Sequence, residues 1–241
     1  MKKIRVTVWN ENIHDKEPEV KKVYPNGIHS CIAETMNADD RFGAVAATLD
    51  QPQQGLPDEL LNNTDVLFWW GHKGHDLVDD KLVERIYQRV MDGMGLVVLH
   101  SGHFSKIFKR LMGTGCRSKW RESDDKERLF VIEPGHPIAL GLPENFELPH
   151  EETYGEHFNI ATPDELVFLS WFSGGEVCRS GCCWHRGKGK VFYFRPGHET
   201  YPTYYNENVK KILCNAAAWA APVNGPDVKY GESPSLEKIK K

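Results

Sequence analysis

Val66-Leu67-Phe68-Trp69-Trp70, broken at Gly71-His72-Lys73-Gly74-His75-Asp76, opens the stretch whose reading decides the fold. Its first five residues are apolar without alternation, as a strand buried on both faces of a parallel sheet must be. Asp79 to Met94 follows with Leu82, Val83, Ile86, Val90 and Met94 at helical spacing and charges between them, and Gly95 ends it. Leu96-Val97-Val98-Leu99 is a second buried run that leads directly into His100-Ser101-Gly102-His103, with a helix expected over Phe104 to Met112. Strand, helix, strand, helix at this spacing predicts βαβ units and a mostly parallel sheet.

Working outward, Ile4 to Trp9 is a β-branched run ending in Asn10-Glu11-Asn12. An acidic, Pro-containing loop follows and closes at the turn Tyr24-Pro25-Asn26-Gly27. Ile28 to Met36 reads as a short helix, Arg41 to Thr48 as a strand, and Leu56 to Leu61 as a helical turn. From about Gly113 the pattern changes. Short strands (Arg128 to Ile132, Leu166 to Trp171, Val177 to Trp184, Lys190 to Phe194) alternate with Gly and Pro turns, and Gly187-Lys188-Gly189 marks a hairpin. This half is expected to extend the sheet in antiparallel fashion. Asn206 to Ala221 is a closing helix stopped by Pro222. Residues 1–222 therefore read as one α/β domain, and 223–241 as a loosely structured tail.

The 241 residues carry 30 Lys and Arg against 34 Asp and Glu, a formal charge of -4. No basic excess is left to neutralise phosphates, which argues against a nucleic-acid partner. No apolar run approaches the roughly 20 residues that span a bilayer. Met1 to Trp9 alternates and stops, without the apolar region of a signal peptide. The chain is expected to be cytoplasmic, away from membranes, and a homo-oligomer by the commonness of two-fold assemblies. There is no GxGxxG or P-loop, so no nucleotide cofactor is expected.

Functional groups in an open α/β sheet collect beyond the carboxyl ends of its strands. Those ends carry Asn10 and Glu11, His72 and His75, His100 and His103, and His198 and Glu199. A presumed loop before the Leu166 strand adds His150, Glu151, Glu152, Tyr154 and His157. Imidazoles and carboxylates in such number suit either of two chemistries. They are a usual first shell for zinc, with an open position left for water, and His72-x-x-His75 and His100-x-x-His103 leave room for two ligands per loop. Alternatively, His and Glu act as general base and acid. His136 and His185 read as structural, and His14 and His29 as rim residues.

Cys178, Cys182, Cys183 and His185 form a local cluster without a second ligand pair. On a strand Cys182 and Cys183 point to opposite faces, so core packing is the expected role. Trp69 and Trp70 read as core. Trp120, beside Arg117 and Lys119 in an expected loop, reads as a wall on which a sugar ring would stack.

The sequence resembles the trehalose-utilisation (ThuA-like) family from Ile4 to Ala221. The resemblance rests on Val8-Trp9-Asn10-Glu11, Tyr24-Pro25-Asn26-Gly27-Ile28-His29, Trp70-Gly71-His72, Leu99-His100-Ser101-Gly102, Glu152-Thr153-Tyr154, and Gly187 to Tyr193 followed by Gly197-His198-Glu199. It implies a flavodoxin-like three-layer sandwich of the glutamine amidotransferase type. Those enzymes carry a nucleophilic Cys at a strand-to-helix elbow, where this chain has His100 or Ser101. Neither can act as a thiolate, so glutaminase activity is not expected.

The resemblance further implies disaccharide or keto-sugar metabolism on a sugar or polyol. His100 and His198 would serve as base and acid or as metal ligands, with Glu152 as their carboxylate and His72 as a further ligand. Asn10, Glu11, Ser101, Trp120, Tyr154 and Glu199 would bind the substrate, and zinc would be the cofactor. A Ser101-dependent hydrolase and a non-catalytic sugar-binding or regulatory protein are the alternatives.

Overall fold

The computed structural model describes residues 3–226 and 230–239. In chain order its strands are β1 (Ile4–Asn10), β2 (Phe42–Thr48), β3 (Val66–Trp70), β4 (Gly95–Leu99), β5 (Lys119–Val131), β6 (Asn145–Gly155), β7 (Glu165–Phe172), β8 (Val177–Arg186) and β9 (Gly189–Phe194). They form one sheet in the order β2-β1-β3-β4-β9-β8-β7-β5-β6. The first five in that order are parallel, and the rest run antiparallel. The helices are α1 (Pro18–Val23), α2 (Ile28–Asn37), α3 (Asp58–Asn62), α4 (Asp80–Met91), α5 (Lys106–Met112) and α6 (Glu207–Ala220).

The strands at the centre are apolar on both faces because helices cover both. Ile28, Ile32 and Met36 of α2 and Ile212 and Leu213 of α6 pack with Val6, Val8, Phe68 and Leu99. Leu82, Ile86 and Val90 of α4 and Phe108 of α5 pack on the opposite face with Trp9, Leu67, Trp69 and Val98. Trp69 and Trp70, adjacent in β3, thus enter different cores, each 1% exposed. Trp9 and Trp69 stack with ring centres 3.8 Å apart. This is the expected three-layer α/β architecture.

The second half departs from expectation in one place. The segment holding Glu151, Glu152 and Tyr154 is strand β6 and not a loop, and β5 begins at Lys119, so Trp120 also lies on a strand. Their sequences hide this. Lys119 to Arg128 is almost entirely charged, and apart from the buried Glu127 it is exposed or half-buried and held by ion pairs such as Arg121–Glu176, to the turn between β7 and β8, and Arg128–Glu147, across to β6. Polar patterning of that kind carries no two-residue apolar period to read. Cys182 and Cys183 fall in opposite cores, as expected, and all six cysteines are free and buried. Residues 223–226 and 230–239 hold neither helix nor strand, while 227–229 and 240–241 of the expected tail lie outside the described residues.

Two side chains finish the outer edge of β2. Asn37 donates through Nδ2 to the Ala44 carbonyl at 3.0 Å and accepts the Ala44 N–H through Oδ1 at 2.8 Å. Gln51 accepts the Thr48 N–H and donates its own N–H to the Thr48 carbonyl.

Helix α6 starts at Asn206, whose side chain accepts from the N–H groups of Asn208 and Val209. Asn206→Ala is expected to cost about 1 kcal/mol and to lower the melting temperature by about 2–4 °C in thermal unfolding. An unchanged midpoint would show that the cap is idle.

Candidate active site

The parallel strands end on one side of the sheet, and their ends supply the site. β1 leads into Asn10, Glu11 and His14; β3 into His72 and His75; β4 into His100, Ser101 and His103; β9 into Arg195, His198 and Glu199. β6 reaches over from the sheet's far edge with Glu152 and Tyr154. A cavity of about 420 Å³ opens between them, lined by His72, His103, Trp120, Glu152 and Tyr154 among others.

Buried glutamates shape two of these loops. Glu11 accepts the N–H groups of His72, Lys73 and Gly74 at 2.7, 2.8 and 2.7 Å. Both its oxygens are thereby occupied, so Glu11 anchors the His72 loop and is not the hydroxyl-binding group expected from sequence. Glu151, fully buried, accepts the N–H of Gly197 and the Thr203 hydroxyl, and lies 3.5 Å from the His198 N–H. Gly197 has φ +128 and lies so close to the Tyr204 hydroxyl that a Cβ would collide with it.

His100 occupies the elbow after β4 with φ +48, a left-handed conformation that only a well-supported non-glycine residue holds. Its Nδ1–H donates to the Arg195 carbonyl at 2.9 Å, which leaves the lone pair on Nε2. Nε2 lies 3.0 Å from Glu152 Oε2, a contact that is favourable only with a proton between them. Burial raises the Glu152 carboxyl and pushes His100 well below the ordinary imidazole range, and both shifts favour the proton on the carboxyl over the ring. Tyr154 stacks on the His100 ring with centres 5.2 Å apart.

His198 differs. Its Nδ1 accepts the Thr200 N–H at 3.3 Å, so Nε2 carries the proton and points toward Glu199 and Glu122 at 3.8 and 4.0 Å. It presents a donor to the site rather than a metal-binding lone pair. Burial also lowers its pKa to about 3, so the ring is neutral.

The expected ligand set of His72, His100 and His198 is therefore redrawn. His100 Nε2 is engaged with Glu152, and His198 offers N–H. Among the described residues, the ligand atoms of His14, His72 and Glu199 lie within 4.8 Å of one another. His14 Nδ1, His72 Nδ1 and Glu199 Oε2 are all buried without a hydrogen-bond partner. Burial lowers His14 to about 4 and raises Glu199 to about 7. Glu199 thus joins the ligand atoms instead of acting only on substrate. His14, expected at the rim, is the residue the sequence reading undervalued. Its one visible signal is its place in the loop just beyond β1.

Ser101 Oγ donates to the Gly71 carbonyl at 2.9 Å, and among the described residues no hydrogen bond joins it to His198. Nothing in that arrangement activates a serine nucleophile. Asn10 accepts the Asn12 N–H through Oδ1, and its Nδ2 is buried without a partner. Trp120 is 66% exposed at the cavity wall, opposite Tyr154 in the β5–β6 ladder. His150 and His157 are exposed and stand apart from the site, and His150 pairs with Asp124 at 2.9 Å. His136 accepts the Ile138 N–H and lies 2.7 Å from Glu165, a structural role.

The sequence matches the ThuA family, described as trehalose utilisation, over residues 5–220. The chain belongs to the ThuA family. Solved structures agree on the fold. A ThuA-like protein from Parabacteroides merdae is 14% identical, with 91% of this chain and 90% of that one covered and a TM-score of 0.68. A second, from Bacteroides uniformis, is 17% identical over 90% of each chain, with a TM-score of 0.64. PurLQS from Thermotoga maritima is 14% identical over 90% of this chain and 99% of that one, with a TM-score of 0.55. A comparison with curated proteins finds no match. The ThuA-family sheet thus has the glutamine amidotransferase-like architecture, with His100 at its elbow. Among the described residues no helix is long and apolar enough to cross a membrane.

Proposed function

We propose that this ThuA-family chain is a cytoplasmic enzyme of trehalose-related sugar metabolism that converts a carbonyl-bearing sugar by zinc-assisted acid–base chemistry. The observation that carries the reading is the convergence of three unpartnered buried atoms, His14 Nδ1, His72 Nδ1 and Glu199 Oε2, beside the proton-sharing pair His100–Glu152. Two imidazoles and a carboxylate are a donor set that catalytic zinc sites use, with a fourth position left for water or substrate. Bound there, zinc would polarise a substrate oxygen as a Lewis acid.

The chain's own residues supply the proton traffic. Glu152, which lines the cavity, gives its proton to a substrate oxygen and takes one back from the substrate, with His100 Nε2 as the neighbouring acceptor that holds the proton when the substrate does not, and His198 Nε2–H is a second donor. Tyr154 and Trp120 form the apolar and aromatic wall against which a sugar ring lies, and Asn10 Nδ2 is an unspent donor.

The test is elemental analysis of protein purified in zinc-supplemented medium. About one equivalent of zinc is expected in the wild type. His72→Ala and Glu199→Gln should lose it, while His100→Ala should keep it. Absence of metal from the wild type, or loss of zinc in His100→Ala with retention in His72→Ala, would refute the assignment.

A further inference from the structure

The chain has eleven arginines, and ten of them meet a carboxylate or carbonyl oxygen within the protein. Among the described residues, Arg117 alone has no side-chain hydrogen bond or ion pair, and it lines the cavity. Ser118, next to it, also lines the cavity with its hydroxyl uncommitted to any described residue. Lys109 adds charge nearby. Its ammonium sits 3.2 Å from the centre of the Phe104 ring and within electrostatic reach of both Arg117 and Asp76. Arg117 is thus the cation in a lining that also holds the carboxylates Glu122 and Glu152.

His103 faces the same cavity and is 7% exposed. Its Nδ1–H donates to the Cys116 carbonyl at 2.7 Å, so Nε2 keeps a lone pair that can accept a hydroxyl. The cavity lining thus combines a cation, a hydroxyl acceptor, an aromatic wall and the Glu152 carboxyl.

We infer that the substrate is an anionic sugar whose carboxylate or phosphate is held by the Arg117 guanidinium and the Ser118 hydroxyl. This deepens the proposed function and rests on its reading of the cavity as a sugar site. A guanidinium binds either anion through paired N–H donors, and a neutral sugar would leave it unanswered. His103 Nε2 takes a hydroxyl of the same molecule, and its carbonyl end reaches the His100–Glu152 pair. A cavity of about 420 Å³ falls in the range of roughly 300–1,000 Å³ usual for small-molecule sites.

The experiment is titration calorimetry with D-glucose, D-glucuronate and D-glucose 6-phosphate, on the protein as purified and after zinc removal. One of the anionic probes is expected to bind about ten-fold tighter than glucose or better. Whichever anion binds more tightly identifies the group as carboxylate or phosphate. Arg117→Gln should abolish the preference, and Lys119→Gln should retain it. Lys119 is a neighbouring exposed cation that borders a different cavity, so it controls for bulk charge. The preference should also survive zinc removal, which separates this inference from the metal assignment. Equal binding of all three probes overturns it, as does a preference that persists in Arg117→Gln or disappears in Lys119→Gln. Failure of every probe to bind at up to about 10 mM overturns it too.

Discussion

Arg195→Leu should lower the melting temperature by roughly 6–20 °C. The guanidinium is wholly buried, ion-paired with Glu127, 2.8 Å from the Glu152 carbonyl and 3.4 Å from Glu151 Oε2. It answers two carboxylates that are themselves fully buried. Burial already raises Glu127 to about 7 against the pull of Arg195, and removing the cation leaves both acids uncompensated. Breaking a buried pair from one side costs about 3–5 kcal/mol, and each kcal/mol is worth about 2–4 °C at this chain length. The double variant Arg195→Leu/Glu127→Leu should lose less than the single one, because it also removes one of the stranded charges. Thermal unfolding of the three proteins decides the matter, and a fall below about 2 °C for Arg195→Leu would be incompatible with this account.

Glu11→Ala should be nearly as damaging and should also disarm the site. Three backbone N–H groups converge on this carboxylate, and water does not reach it readily, since Glu11 is 1% exposed. Hydrogen bonds to a charged group contribute about 1.5–3 kcal/mol each. The loop relaxes in part, so a net loss of about 3 kcal/mol, or about 6–12 °C, is the expected size. The same amides set the path of the chain through His72, so zinc content should fall with stability. Glu11→Gln, which keeps an acceptor but turns one oxygen into a donor, should lie between. If Glu11→Ala retained a full equivalent of zinc, the carboxylate would not be what positions His72.

The parallel half of the molecule was legible because a strand covered on both faces must be apolar throughout. Val66 to Trp70 was located to the residue, and β2, β4 and β9 to within one residue at either end. All of β6 and the part of β5 before Arg128 escaped, because their stabilisation comes from ladder hydrogen bonds and cross-strand charges, which leave no apolar rhythm in Lys119 to Glu127. Among candidate site residues, His72, His100 and His198 could be named from their nearness to strand ends, and Glu152 from the acidic segment before the Leu166 strand. The use each is put to could not. That depends on which neighbour takes Nδ1, as with Arg195 for His100 and Thr200 for His198, and these neighbours are 95 and two residues away. Glu11 misled for a related reason, since the acceptors of backbone amides leave no trace in the order of side chains. Arg195 could not be singled out, because its partners Glu127 and Glu151 belong to the two strands that went unread or partly read.

The amides of Asn37 and Gln51 along β2 bear on how copies of this protein meet. An outermost strand with free backbone groups is a template on which another chain can continue the ladder, the first step toward fibrils and domain exchange. Here the Asn37 side chain takes both the N–H and the C=O of Ala44, while at Thr48 the Gln51 side chain takes the N–H and the Gln51 backbone N–H takes the C=O. Recruitment of a neighbouring strand along β2 would require both amides to be dislodged first. Self-association at this margin is therefore hindered at Ala44 and Thr48, where the chain's own groups already hold the edge.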